Sequence, residues 1–206
     1  MGKPTSPYWN THSASKTLER IIGYEEDKSY RPTVVVPIVD YAGRPLLVRH
    51  ATPEGNWGLV QGHIETFDAD PVAACRREAF EEAWITDEKV DRVYPFLLEE
   101  SVDAPSSRNH ETGYRKGGYY VCVGLKLKPG ADISTEPPKG LSVALLERRW
   151  CSSLDQAVRV LREQPGVIGA NRATLEKAER VLIPALESMY QPYVEEYAEI
   201  LNDYYI

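Results

Sequence analysis

The stretch GHIETFDADPVAACRREAFEEAWI, Gly62 to Ile85, decides how this chain is read. Its second half is helical by pattern: Asp70 suits an N-cap, Pro71 suits the first helical position, and no further Gly or Pro follows until Pro95. If the helix runs to about Ala83, a turn of about 100° per residue brings Glu78, Glu81 and Glu82 onto one narrow face. The opposite face carries Val72, Ala79 and Ala83, with Cys75 and Phe80 at its edges, and is expected to pack on a sheet. Arg76 lies close to that stripe and fits it poorly.

Like charges three and four residues apart cost a helix about 0.2–0.5 kcal/mol per pair. Arg77 reaches Glu81 at i,i+4, but one guanidinium cannot neutralise three carboxylates. A hard divalent cation can, because magnesium takes oxygen ligands from a few carboxylates and leaves positions for water and substrate phosphates. The plain alternative is a solvated acidic face, which is what most charged helix faces are. Gly62 tips the balance: it is expected in a loop after a short strand, where a backbone without Cβ lets a ligand or metal come close.

Upstream, RPTVVVPIVDYAGRPLLVRH reads as two strands around a turn, with the Gly and Pro chemistry of a hairpin between Asp40 and Pro45. A short helix is expected near SASKTLERII. Downstream, VDRVYPFLLEE and GGYYVCVGLKL read as strands separated by a long polar loop. LSVALLERRW is a further strand, and SSLDQAVRVLRE a helix capped by Ser152 or Ser153. The remainder reads as two helices parted at Gln191 and Pro192. Mixed strands around one central helix, with helices at the end, make an α/β (α+β) sandwich.

The unit of strand, glycine and acidic helix resembles the signature of the Nudix hydrolases. REAFEE, Arg77 to Glu82, matches its most diagnostic part, and Gly62, Ile64, Glu65 and Ile85 fall where the family pattern places them. GNWGLVQGHIE before it and LLERRWCSSLDQA after it are similar to the family's flanks, so the resemblance spans roughly Arg31 to Leu161. Three departures stand out: Asp68 replaces a glutamate, one extra residue precedes Arg77, and Trp84 replaces a glycine. Asp68 can still brace the loop if the extra residue lets it approach, and Trp84 is expected to be helical or extended.

The resemblance implies a Nudix-like α/β/α sandwich with a mixed sheet over residues 31–165. An N-terminal arm (1–30) precedes it and a C-terminal helical extension (166–206) follows. It implies a pyrophosphohydrolase using Mg2+ or Mn2+, with Glu78, Glu81, Glu82 and the Gly62 carbonyl as metal ligands. Glu82 is then the first choice for general base, with Glu81 beside it and Arg77 orienting a glutamate; Glu111 and Glu136 are later-loop alternatives. Arg49, Trp57 and Arg115 are the substrate-contact candidates, with Lys116, Tyr94, Tyr119 and Tyr120 weaker. His63 and His110 read as solvated loop histidines. The expected substrate is a nucleoside diphosphate derivative: a sugar-nucleotide, a dinucleoside polyphosphate or a dinucleotide cofactor. The alternatives are a catalytically weak nucleotide-binding regulatory module and an RNA 5′-end pyrophosphohydrolase.

The whole-chain properties agree. The 206 residues suffice for one sizeable domain, and 42% hydrophobic with 27% charged residues is ordinary for a globular protein. A net charge of −7 disfavours a broad nucleic-acid surface and suits a protein that meets anionic nucleotides through a cation. No apolar run spans a bilayer, and the polar N-terminus lacks the apolar core of a secretory signal, so a cytoplasmic location is expected. Cys75, Cys122 and Cys151 are odd in number and widely spaced, which reads as three reduced, buried thiols. The apolar stripe Val181, Leu182, Leu186, Tyr190, Tyr193, Tyr197, Ile200 and Leu201 needs a cover, either its own domain or a second copy in a homodimer.

Overall fold

The computed structural model describes residues 11–50, 55–103, 113–114, 116–131, 145–163 and 172–191. An N-terminal helix α1 (Thr11–Asp27) leads into β1 (Tyr30–Val36), which Pro37 separates from β2 (Ile38–Val39). After β3 (Leu46–His50), β4 (Trp57–Gly58) and β5 (Val60–His63) comes α2 (Pro71–Ala83). The strands β6 (Val90–Val102), β7 (Gly117–Leu127) and β8 (Leu145–Trp150) follow, then α3 (Leu154–Glu163). The last described helix is continuous: α4 (Arg172–Lys177), a π-helical turn (Ala178–Leu182) and α5 (Ile183–Ser188). The wider turn fits Pro184, which has no N–H to give the Arg180 carbonyl and whose ring would crowd it.

The larger sheet is mixed. Its central β7 runs parallel to β1 and β2 on one side and antiparallel to β6 on the other, and β5 closes the edge antiparallel to β1. The smaller sheet is antiparallel, in the order β4-β3-β8. The expected hairpin at Asp40–Pro45 is therefore not a paired ribbon. Its turn forms, with the Asp40 N–H bonded to the Arg44 carbonyl at 3.0 Å, but pairing stops at one Val39–Pro45 bridge and the two arms enter different sheets. Turn chemistry fixes the reversal; the buried sequences of β1 and β3 find partners far along the chain.

Two apolar cores flank the larger sheet. Alternate residues Val34, Val36, Val60, Ile64 and Val121 meet Val72, Cys75, Ala79 and Ala83 of α2. The intervening residues Val35, Leu59 and Cys122 meet α3 and the C-terminal helix through Leu161, Val181, Ile183 and Leu186. The C-terminal stripe as far as Leu186 thus covers its own domain, while Tyr193, Tyr197, Ile200 and Leu201 lie outside the described residues. All three cysteines are buried and free. No described helix is long and apolar enough to cross a membrane.

The caps of α2 follow the sequence reading at one end only. Asp70 accepts from the Ala73 N–H at 2.8 Å, with Pro71 at the first position. At the other end Trp84 takes the left-handed conformation itself (φ 56°, ψ 35°), rather than a helical or extended one. Its N–H returns to the Phe80 carbonyl and that of Ile85 to Ala79. The indole is 4% exposed, with the Arg148 guanidinium carbon 3.2 Å from its ring centroid, so burial and a cation over the ring hold a conformation that glycine would adopt freely.

Candidate active site

Gly62 is in β5, not in a loop, paired with Val34 of β1. It is there because Glu78 lies on it: a Cβ at residue 62 would overlap the Glu78 carboxylate. The buried arc of α2 consequently swings toward the acidic side. Glu78 is buried, with a side chain 8% exposed, while Phe80, expected at the edge of the packed stripe, is turned to solvent at 40%. Burial pushes the Glu78 carboxyl above its ordinary pKa, and the Arg77 charge and hydrogen bond oppose it.

Arg77 organises the acidic face. One terminal nitrogen meets Glu78 Oε1 at 2.5 Å and Glu81 Oε2 at 3.3 Å. The other donates to the His63 carbonyl at 2.7 Å and to Asp68 Oδ2 at 2.9 Å, and Nε donates to Asp68 Oδ1 at 3.2 Å. Asp68 also accepts from the Glu65 N–H at 2.9 Å. The shorter acid with one extra loop residue therefore braces the loop through a two-pronged guanidinium contact. These partners hold Arg77 firmly in its charged form.

Glu82 is anchored separately, accepting from the Gln61 N–H at 3.0 Å. Strand alternation explains why that donor is free. The Ile64 N–H bonds to the Pro32 carbonyl, so the bonded pairs of the β1–β5 ladder fall at residues 64, 62 and 60, and the main-chain groups of Gln61 and His63 face outward along the sheet edge. The Gly62 carbonyl, expected as a metal ligand, is thereby turned toward Val34. Gln61 presents the edge carbonyl nearest Glu82, a residue that the sequence reading did not select because it placed position 62 beyond the strand.

His63 is not a solvated loop histidine. It ends β5, with Nδ1 2.8 Å from the Pro32 carbonyl and Nε2 2.9 Å from Glu25 Oε1 of α1. Burial first, then the Arg31 charge, lowers its pKa, with Glu25 pulling the other way. Glu25 also receives a hydrogen bond from Tyr114 and contacts Lys28 Nζ at 2.7 Å.

The substrate-contact candidates are scattered. Arg49 Nε donates to the Gly55 carbonyl at 3.0 Å and its guanidinium lies 3.6 Å from Glu147. Trp57 and Tyr120 pack against the core beneath the C-terminal helix, and Tyr94 is buried against Val39 and Met189. Tyr119 is buried and donates to Glu99, while Lys116 lies over the Tyr30 ring. Arg115, His110, Glu111 and Glu136 are outside the described residues.

The donor set suits a hard divalent cation: three carboxylates on one side of α2, one of them buried, facing the outward main chain of an edge strand. Among the described residues no three acidic, His or Cys side chains form a closed metal cage. That agrees with how magnesium is bound, through one or two carboxylates together with water and substrate phosphates. Glu81, 48% exposed, and Glu82 lie one turn beyond Glu78 on the open side.

An acidic helix braced by one arginine against the edge of a mixed sheet, within a layered α/β/α domain, is the architecture of a diphosphate hydrolase. The NUDIX domain family model matches residues 29–168, two-thirds of the sequence, and the chain belongs to that family of hydrolases of pyrophosphate bonds. Among solved structures it is similar to the E. coli dihydroneopterin triphosphate pyrophosphohydrolase, with 17% identity over 74% of this chain and 99% of that one and a TM-score of 0.50. It is also similar to a C. elegans Ap4A hydrolase, with 22% identity over 72% and 95% and a TM-score of 0.42. The Nudix domain of a Shewanella oneidensis protein solved with ADP-ribose gives 17% identity, 79% and 97% coverage and a TM-score of 0.43. No curated protein matches the sequence.

Proposed function

We propose that this chain is a divalent-metal-dependent pyrophosphohydrolase that cleaves the diphosphate linkage of a nucleoside diphosphate derivative. The observation that carries the reading is the seating of Glu78: a carboxylate buried over a strand glycine, flanked by Glu81 and Glu82, with Arg77 its one described ion-pair partner. A structural role alone is a poor reason to bury such a charge, because desolvating a carboxylate is costly. Glu78, Glu81 and Glu82, with the Gln61 carbonyl, would hold Mg2+ or Mn2+. Bound there, the cation would offset charge on the diphosphate and make a neighbouring water a better nucleophile.

The remaining work falls to side chains. Glu82 accepts the proton from the attacking water, with its Oε2 steadied by the Gln61 N–H. Arg77 keeps Glu78 and Glu81 in place and, enclosed by Asp68 and the His63 carbonyl, does not turn to substrate. The cytoplasm, where nucleotides and magnesium abound, is the fitting location.

The test is incubation of the purified protein with Mg2+ or Mn2+ and a panel of sugar-nucleotides, dinucleoside polyphosphates and dinucleotide cofactors, with products separated by chromatography. Cleavage of one class to a nucleoside monophosphate and a second phosphate ester, lost in Glu82→Gln, is expected. Cleavage that persists without divalent metal, or unchanged in Glu82→Gln, would overturn the reading.

A further inference from the structure

The helix α1 lies outside the residues matched by the family model, yet its last turn reaches His63 at the end of β5. Beyond its apolar packing through Ile21 and Tyr24, two groups of polar contacts hold it. Thr17 and Arg20 bond to Glu99 on β6, which also accepts from Tyr119, and none of these three bonds involves a polar group of α2. The second anchor is different. Glu25 Oε1 faces His63 Nε2 at 2.9 Å and accepts from the Tyr114 hydroxyl, which lies 3.4 Å from the same imidazole nitrogen, while Lys28 holds Glu25 Oε2 at 2.7 Å. Lys28 adopts a left-handed conformation (φ 52°) to turn the chain from α1 into β1, and its Nζ is also within 3.2 Å of Tyr114 Oη. Opposite Glu25, the Pro32 carbonyl holds the ring's Nδ1.

The imidazole is therefore clamped from both sides, and the residue it belongs to supplies the carbonyl on which Arg77 rests at 2.7 Å. The same guanidinium bridges Glu78 and Glu81. We infer that Glu25 is a positioning residue of the acidic site: by fixing the His63 ring at the end of β5 it fixes the main-chain seat of Arg77, and with it the two carboxylates that Arg77 holds. This inference rests on the metal-dependent reading above. A partner that orients ligands in this way typically changes metal affinity by about 10–100-fold, and an effect relayed through one arginine belongs at the low end.

The experiment measures Mn2+ affinity of the full chain, from the loss of the free-ion electron paramagnetic resonance signal, together with melting temperature and the separate kcat and KM values. Glu25→Ala is expected to weaken Mn2+ binding about tenfold. Glu25→Gln, which keeps an oxygen acceptor, should fall between it and wild type and covers the case in which the alanine variant does not fold. Arg20→Ala, which loosens the other anchor of the same helix, should lower the melting temperature and leave Mn2+ affinity within about twofold. Unchanged affinity in folded Glu25→Ala or Glu25→Gln would overturn the inference, and so would an equal loss in Arg20→Ala. Wild-type protein that binds no Mn2+ would overturn the metal reading itself, and this inference with it.

Discussion

Restoring the family's glycine at position 84 should harm this protein. Glycine would release the left-handed conformer, a relief of about 1–2 kcal/mol, and would remove an indole N–H that is buried without a partner, worth about 1 kcal/mol or more. Against this, truncating a buried tryptophan costs about 3–5 kcal/mol. The added freedom of glycine in the unfolded chain costs about 0.5–1 kcal/mol, and the Arg148 contact about 0.5–2 kcal/mol. The balance is a loss of roughly 3.5 kcal/mol, or a melting temperature lower by about 7–14 °C for a chain of this size. Urea and thermal denaturation of Trp84→Gly beside wild type measure it. A variant as stable as wild type would show that strain at the helix end, not burial of the ring, dominates, and would refute the reasoning.

Other outcomes follow from the same geometry. Glu78→Gln removes two like-charge pairs and a buried charge, so the metal-free protein should gain about 0.5–1 kcal/mol in urea denaturation while losing diphosphate hydrolysis. Gly62→Ala places a methyl where the Glu78 carboxylate sits and should lower kcat/KM by about 100-fold, because the displaced ligand cannot return to its seat.

What the sequence made legible was local. The cap at Asp70, the extent of α2, the strands β6 and β7, and the three glutamates are set by residues within a few positions of one another. The Asp68 brace was also within reach, since its partner Arg77 is on the next helix. What was hidden depends on pairing across the chain. Gly62 belongs to a strand because Val34 is opposite it, and Phe80 faces water because Glu78 has been given the space over that glycine. Glu25 and His63 are 38 residues apart in sequence, and nothing in either neighbourhood announces their contact. The hairpin that was expected at Asp40–Pro45 failed for the same reason: turn residues dictate that the chain reverses, not which strands it then joins.

The core beneath the C-terminal helix has a consequence for how the molecule is made. Its lining joins Val35, Leu47 and Leu59 from the first third of the chain to Val181, Ile183 and Leu186 near the end. A ribosome that has released residues as far as β8 has therefore produced a sheet with one finished face and one bare one. During that interval the valines and leucines of the bare face are open to chaperones and to other nascent chains. Closure of the layer waits for the helix that carries Val181, Ile183 and Leu186.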